Sequence, residues 1–164
     1  MKKILAALLI LVSVTTVCIK EKRDRDIVRI HILAQSDSEE DQNEKIKVRD
    51  RVNMYISEPL SKCKTKAEAM EYFNLNLENI KEVAQSVTDK SVTVTLKDEH
   101  FPQKTYNDKT YPAGEYTALK INIGKAEGHN WWCVAFPPMC YTSSQGGKTE
   151  YRSIIYDFFK GLFK

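Results

Sequence analysis

A chain of 164 residues with 42% hydrophobic content has room for one compact core and little more. Its formal charge of +3 is concentrated in the first 25 residues, which carry +4, so the remainder is close to neutral. No basic surplus is left to meet a phosphate backbone, and nucleic acid is excluded as an expected partner.

Residues 4–19 are uncharged and mostly apolar, and Lys2 and Lys3 precede them, which is the layout of an export signal. As a helix this run spans about 24 Å, short of the ~30 Å hydrocarbon core. Val14-Thr15-Thr16-Val17-Cys18 offers no Ala-x-Ala cleavage site, so two outcomes stay open: removal as a signal peptide, or retention as an N-terminal anchor. Residues 1–25 are set apart on this basis.

Val28, Ile30, Ile32 and Ala34 then alternate with Arg29, His31 and Leu33, the period of a strand with one face in the core. That pattern puts Arg29 and His31 on the outward face. Ser36 followed by Glu39 suggests a capping box opening a helix that runs to about Ile56, with Val48, Val52, Tyr55 and Ile56 as its apolar positions and Pro59 as its stop. Thr65 and Glu68 repeat the capping signature, and Met70, Phe73, Leu77, Ile80 and Ala84 mark the apolar stripe of a second helix.

Val92, Val94 and Leu96 predict a second strand. Residues 116–123 predict a third, with Thr117, Leu119, Ile121 and Ile123 on one face, and residues 131–136 a fourth after a loop bounded by Gly124 and Gly128. Helices grouped between strands imply an α+β fold: a mostly antiparallel sheet of about four strands with helices on one face, over residues 26–141. The stretch 142–147 reads as a flexible linker and residues 151–164 as an amphipathic C-terminal helix rich in aromatic side chains. That helix either packs back on the sheet or docks on a membrane surface or a partner.

The three histidines, His31, His100 and His129, show no metal-site spacing, and no glycine-rich phosphate loop or nucleophile elbow occurs. No cofactor or metal is expected. The densest chemistry is Gly128-His129-Asn130-Trp131-Trp132-Cys133. One reading makes Cys133 a thiol nucleophile with His129 as its base. The competing reading is a disulfide between Cys133 and Cys140 in an oxidising compartment, with Pro137 and Pro138 turning the chain between them. Cys63 reads as a spare buried thiol. If the adjacent tryptophans lie on a strand they face opposite ways, one toward core and one toward solvent.

Several of these segments resemble one family. Arg29-Ile30-His31-Ile32-Leu33-Ala34, Ser36-Asp37-Ser38 with Asp41-Gln42, and Lys47-Val48-Arg49-Asp50 are similar to the opening of the stage II sporulation protein R family. So are Phe101-Pro102 with Lys104 and Tyr106, Tyr111-Pro112-Ala113-Gly114-Glu115-Tyr116, the run from Gly128 to Val134, and Phe136-Pro137-Pro138-Met139-Cys140. The resemblance implies export from the forespore into the intermembrane space of the sporulation septum. There the chain would activate the membrane-embedded aspartic peptidase that processes the sigma-E factor. Such a ligand is not an enzyme, and the family supplies no catalytic residues. Arg29, His31, Asp37, Asp41, His129, Asn130 and Trp131 are the candidate partner-binding residues, with helix-end charge as the plain alternative role for Asp37 and Asp41. A thiol-dependent hydrolase of the same space, using Cys133 and His129, is the alternative function.

Overall fold

A computed structural model describes residues 26–106 and 109–139. In chain order the elements are β1 (Val28–Leu33), α1 (Glu39–Lys62), α2 (Lys66–Gln85), β2 (Val92–Phe101), β3 (Lys104–Tyr106), β4 (Lys109–Tyr111), β5 (Gly114–Ile123) and β6 (Asn130–Phe136). The predicted leader, linker and C-terminal helix lie outside the described residues.

The sheet is mixed: two of its three ladders are antiparallel, in keeping with the mostly antiparallel expectation, and the central one is parallel, which was not expected. Its order is β2-β5-β1-β6. The central pair β1 and β5 runs parallel, with Ile30 opposite Leu119 and Ile32 opposite Ile121, while β2 and β6 flank it antiparallel. Parallel neighbours need a long crossover, and the two helices together with the β2 to β4 segment between β1 and β5 supply one.

Both helices cover one face, as expected from their stripes. Val48, Val52, Ile56 and Leu60 of α1 and Phe73, Ile80 and Ala84 of α2 meet Ile30, Ile32, Leu119, Ile121 and Cys133 in one fully apolar cluster. Tyr55, assigned to that stripe from spacing, is exposed instead. Two helix boundaries also differ from expectation. The N-cap of α1 is Ser38 rather than Ser36: its hydroxyl accepts from the Asp41 N–H at 3.2 Å, and Ser36 is left to bond the Asp41 carboxylate. Pro59 lies inside α1 rather than ending it. The missing N–H costs about 3 kcal/mol, and the next turn offsets much of this by burying Leu60 completely. α2 starts as expected at Thr65, whose hydroxyl accepts from the Glu68 N–H. Among the described residues no helix is long and apolar enough to cross a membrane.

The opposite face of the sheet has its own cover, which periodicity did not disclose. β3 and β4 pair as a separate two-stranded hairpin, Thr105 opposite Thr110. Tyr106 and Tyr111 of this hairpin pack with Phe101, Tyr116, Ala118, Val134 and Trp132 in a second cluster. Strands of three residues are too short to show a period, so the hairpin reads as loop in the sequence.

Candidate functional site

Two loops meet at the end of the sheet where β1 stops and β6 starts. The N–H groups of Glu127 and Gly128 donate to the carbonyls of Gln35 and Ala34, at 3.1 and 3.0 Å. Gly128 permits this approach, because a Cβ there would collide with the backbone carbonyl of Ser36. Gly124 makes the preceding turn with φ +57°, in the left-handed region that glycine adopts without strain. Asp37 then caps the junction: its Oδ1 accepts from the His129 N–H at 2.6 Å and lies 2.5 Å from His129 Nδ1.

Behind the junction, the start of α1 is fastened to both loops. Gln42 Nε2 donates to the Ser36 carbonyl at 2.8 Å, and Lys45 Nζ donates to the His129 carbonyl at 2.8 Å and to Gln42 Oε1 at 2.6 Å. Burial brings the Lys45 ammonium down to about 8. Asp41 accepts from the Ser36 hydroxyl and pairs with Lys90 at 2.9 Å; these two partners hold its carboxyl below the usual range. Lys90 also pairs with Glu44, and its ammonium is raised by both carboxylates.

The hairpin-covered face carries the most unusual environment in the molecule. Arg29 is 0% exposed, and its guanidinium carbon sits 4.3 Å from the Phe101 ring, 5.0 Å from Tyr116, 5.6 Å from Tyr106 and 5.9 Å from Tyr111. Aromatic faces stabilise a desolvated cation, at about 2 kcal/mol for a good contact. They do not satisfy its N–H groups. Nη2 donates to the Tyr106 hydroxyl at 2.9 Å, while Nε and Nη1 are buried with no hydrogen-bond partner among the described residues. Burial pushes the Tyr106 phenol up despite the adjacent cation, so the hydroxyl is neutral and no counterion to Arg29. Each orphaned donor costs about 1–3 kcal/mol.

Two residues along β1, His31 occupies the same face at the edge of the hairpin's cover. Its Nδ1 lies 2.9 Å from a Glu99 carboxylate oxygen and its Nε2 2.6 Å from Asn130 Oδ1, and its ring packs on Trp132 and Phe101. Burial pushes the Glu99 carboxyl up, but Lys120, at 2.5 Å, and His31 outweigh it and leave it below its usual value. Lys104 of β3 places its ammonium 4.4 Å from the Trp132 ring centre.

The structure therefore sorts the seven sequence-derived partner-binding candidates into three groups. Asp37, Asp41 and His129 belong to the loop junction, where Asp41 is buried and structural while Asp37 and His129 are exposed. Arg29, His31 and Asn130 belong to the opposite face. The expectation that Arg29 and His31 point outward holds for the face but not for exposure: both are buried, because the hairpin and the aromatic cluster lie over them. Trp131 points the other way, packing against the helix-side core with Arg49 5.6 Å from its ring centre. Both tryptophans are half-buried, on opposite faces, so neither is the solvent-facing one expected.

Cys133 is buried on the helix side opposite Ile30, and His129 is engaged with Asp37 at the far end of β6. The two are separated by about 13 Å of extended chain. The chain turns after β6 at Pro137 and Pro138, but Cys140 lies outside the described residues, and with it the expected bridge to Cys133. Cys63 is a free, half-buried thiol whose Sγ bonds the Pro59 carbonyl at 3.6 Å. Among the described residues no cluster of potential ligands could hold a metal ion.

Sequence reasoning missed the Arg29 box, Glu99, Lys120 and Lys45. A signal for the hairpin, though not for its meeting with Arg29, was present: Phe101-Pro102 and Tyr111-Pro112 bracket an Asn-Asp pair with Tyr106 between, an aromatic and proline frame suited to a turn.

The model of the stage II sporulation protein R family matches residues 24–146. A curated relative, the stage II sporulation protein R of Bacillus subtilis (strain 168), is 38% identical over 109 residues, which cover 63% of this chain and 49% of the relative. The chain thus spans about half the length of that relative. No solved structure matches. With the match running from just before β1 to beyond β6 and taking in the loop junction, the hairpin and the Arg29 box, the chain belongs to the stage II sporulation protein R family.

Proposed function

We propose that this chain is an exported signalling protein of sporulation that activates the membrane-embedded aspartic peptidase responsible for sigma-E processing, acting across the septum on the mother-cell side. The family match carries the proposal. A ligand of this kind needs only to bind the active arrangement of the peptidase more tightly than the inactive one. The exposed Asp37 and His129 at the loop junction, with Asn130 and the Arg29 and His31 face beside it, form the docking end; the apolar leader directs export. The aromatic C-terminal segment restricts the chain to the septal membrane surface where the peptidase resides.

The thiol-hydrolase alternative is the weaker one, because Cys133 is buried among apolar side chains and His129 is turned to Asp37. In the exported protein Cys133 instead forms a bridge with Cys140, which mass spectrometry after alkylation with and without reductant would register.

The test is to co-produce the chain, the peptidase and pro-sigma-E in a non-sporulating host. Processing that requires the chain, and that survives replacement of Cys133 and Cys140 together by serine at least in part, supports the ligand. Processing without the chain overturns it.

A further inference from the structure

Arg29 is built as a cation site but lacks its anion. The side chain is fully buried on β1, four aromatic rings surround its guanidinium, and no carboxylate among the described residues pairs with it. A guanidinium presents two in-plane forks, Nε with Nη2 and Nη1 with Nη2, either of which matches the two oxygens of a carboxylate. Here both forks share one neutral acceptor, the Tyr106 hydroxyl on Nη2, and the remaining Nε and Nη1 have no partner among the described residues. Tyr106 stands where one carboxylate oxygen would stand.

That placeholder is carried by a separable element. β3 and β4 form their own two-stranded sheet and share no ladder with the main sheet. What fastens them is side-chain contact: Tyr106 and Tyr111 on Arg29, the Tyr111 hydroxyl on Met139 Sδ at 2.8 Å, and Lys104 over Trp132. Lifting the hairpin would uncover the two forks of Arg29 while Phe101 and Tyr116, which sit on the main sheet, stay stacked beside the cation.

We propose that Arg29 is a latent carboxylate-binding site, closed by the β3–β4 hairpin in the free protein, and that it takes an Asp or Glu side chain of the partner protein when the hairpin is displaced on docking. The identity of that partner rests on the activator reading; the carboxylate chemistry does not. Charge complementarity selects the occupant: a buried, permanently charged, planar donor without a counterion favours a planar anion over any neutral group. The arrangement couples docking to a conformational change, because the partner's carboxylate competes with Tyr106 for the same donor.

Two experiments separate the site from the partner. In the first, propionate, which reproduces the end of a glutamate side chain, is titrated into the full exported chain at constant ionic strength while the Arg29 Nε–H resonance is followed by NMR. Tyr106→Phe removes the competing hydroxyl and keeps the ring; it is expected to give a saturable shift with at least tenfold tighter binding than wild type. A shift that never saturates in Tyr106→Phe, or equal affinities in the two proteins, overturns the proposal. In the second, Arg29→Lys, which keeps the charge but not the fork, is assayed in the reconstituted host beside Tyr106→Phe. Activation at least tenfold lower for Arg29→Lys is expected, with half-maximal activation at a lower expression level of the chain for Tyr106→Phe than for wild type; wild-type activation by Arg29→Lys, or a Tyr106→Phe requirement no lower than wild type, overturns the proposal. Should Arg29→Lys fail to fold, the propionate titration decides alone. Should the wild-type chain fail to activate the peptidase, the activator reading falls while the propionate result still stands or falls by itself.

Discussion

The two faces of the sheet are covered in different ways. On the helix side, α1 and α2 seat leucine, isoleucine, valine and phenylalanine on aliphatic strands, and each fully buried side chain contributes through area alone. On the other side a six-residue pair of short strands covers an aromatic cluster with a cation in its middle that no carboxylate among the described residues pairs. The first arrangement has few competing solutions and makes a stable core. The second leaves donors unmet, and such costs persist where a surface has work to do beyond folding. Stability belongs to the helix side; under the proposal made above, recognition belongs to the hairpin side.

The largest effect should come from cutting into the helix side. Phe73→Ala removes a fully buried ring from α2 and is expected to lower stability by about 3–5 kcal/mol in chemical denaturation. A loss below about 1 kcal/mol would break the division of labour. Gly128→Ala comes next, because the added methyl group meets the Ser36 backbone rather than a side chain that can swing away. It should cost about 1–3 kcal/mol and loosen the loop junction, with faster amide exchange at Gly128 and His129.

On the hairpin side the expectation reverses. Arg29→Met gives up the cation–π contacts and the Tyr106 bond but relieves a desolvated charge that has no counterion among the described residues, so stability should change by less than about 1.5 kcal/mol. Signalling should nevertheless fail. The smallest effect is pH-dependent. Asp41 has a folded-state carboxyl below its usual value, held there first by the Ser36 hydroxyl and then by Lys90. Its contribution is therefore fully present above its ordinary titration range and lost as pH falls through the lowered one. Thermal midpoints of wild type and Asp41→Asn should differ at pH 7 and converge as pH drops below about 4.

The helix side was legible in the sequence and the hairpin side was not, for one physical reason. Aliphatic burial leaves a period, and Met70 to Ala84 or Val28 to Ala34 display it directly. The residues of the Arg29 box come from β1, β2, the hairpin and β5, and nothing local in Phe101, Tyr106, Tyr111 or Tyr116 says that they meet around one side chain. Alternation correctly put Arg29 and His31 opposite Ile30 and Ile32, then failed on exposure because it has no view of what covers the second face. The loop junction shows the same limit: Asp37, Gly128 and His129 were each singled out by motif, yet their contact at 2.6 Å spans most of the chain. Sheet polarity escaped for a related reason, since strand spacing does not reveal which neighbours a long crossover will bring side by side.

The division between the faces is tested most directly by comparing two conservative variants, one from each side, in the reconstituted host. Phe73→Leu and Arg29→Lys are produced to equal levels, shown to be folded at the assay temperature, and scored by the fraction of pro-sigma-E processed. Wild-type processing with Phe73→Leu and at least tenfold less with Arg29→Lys is the predicted result. Equal processing by the two folded variants would contradict the account.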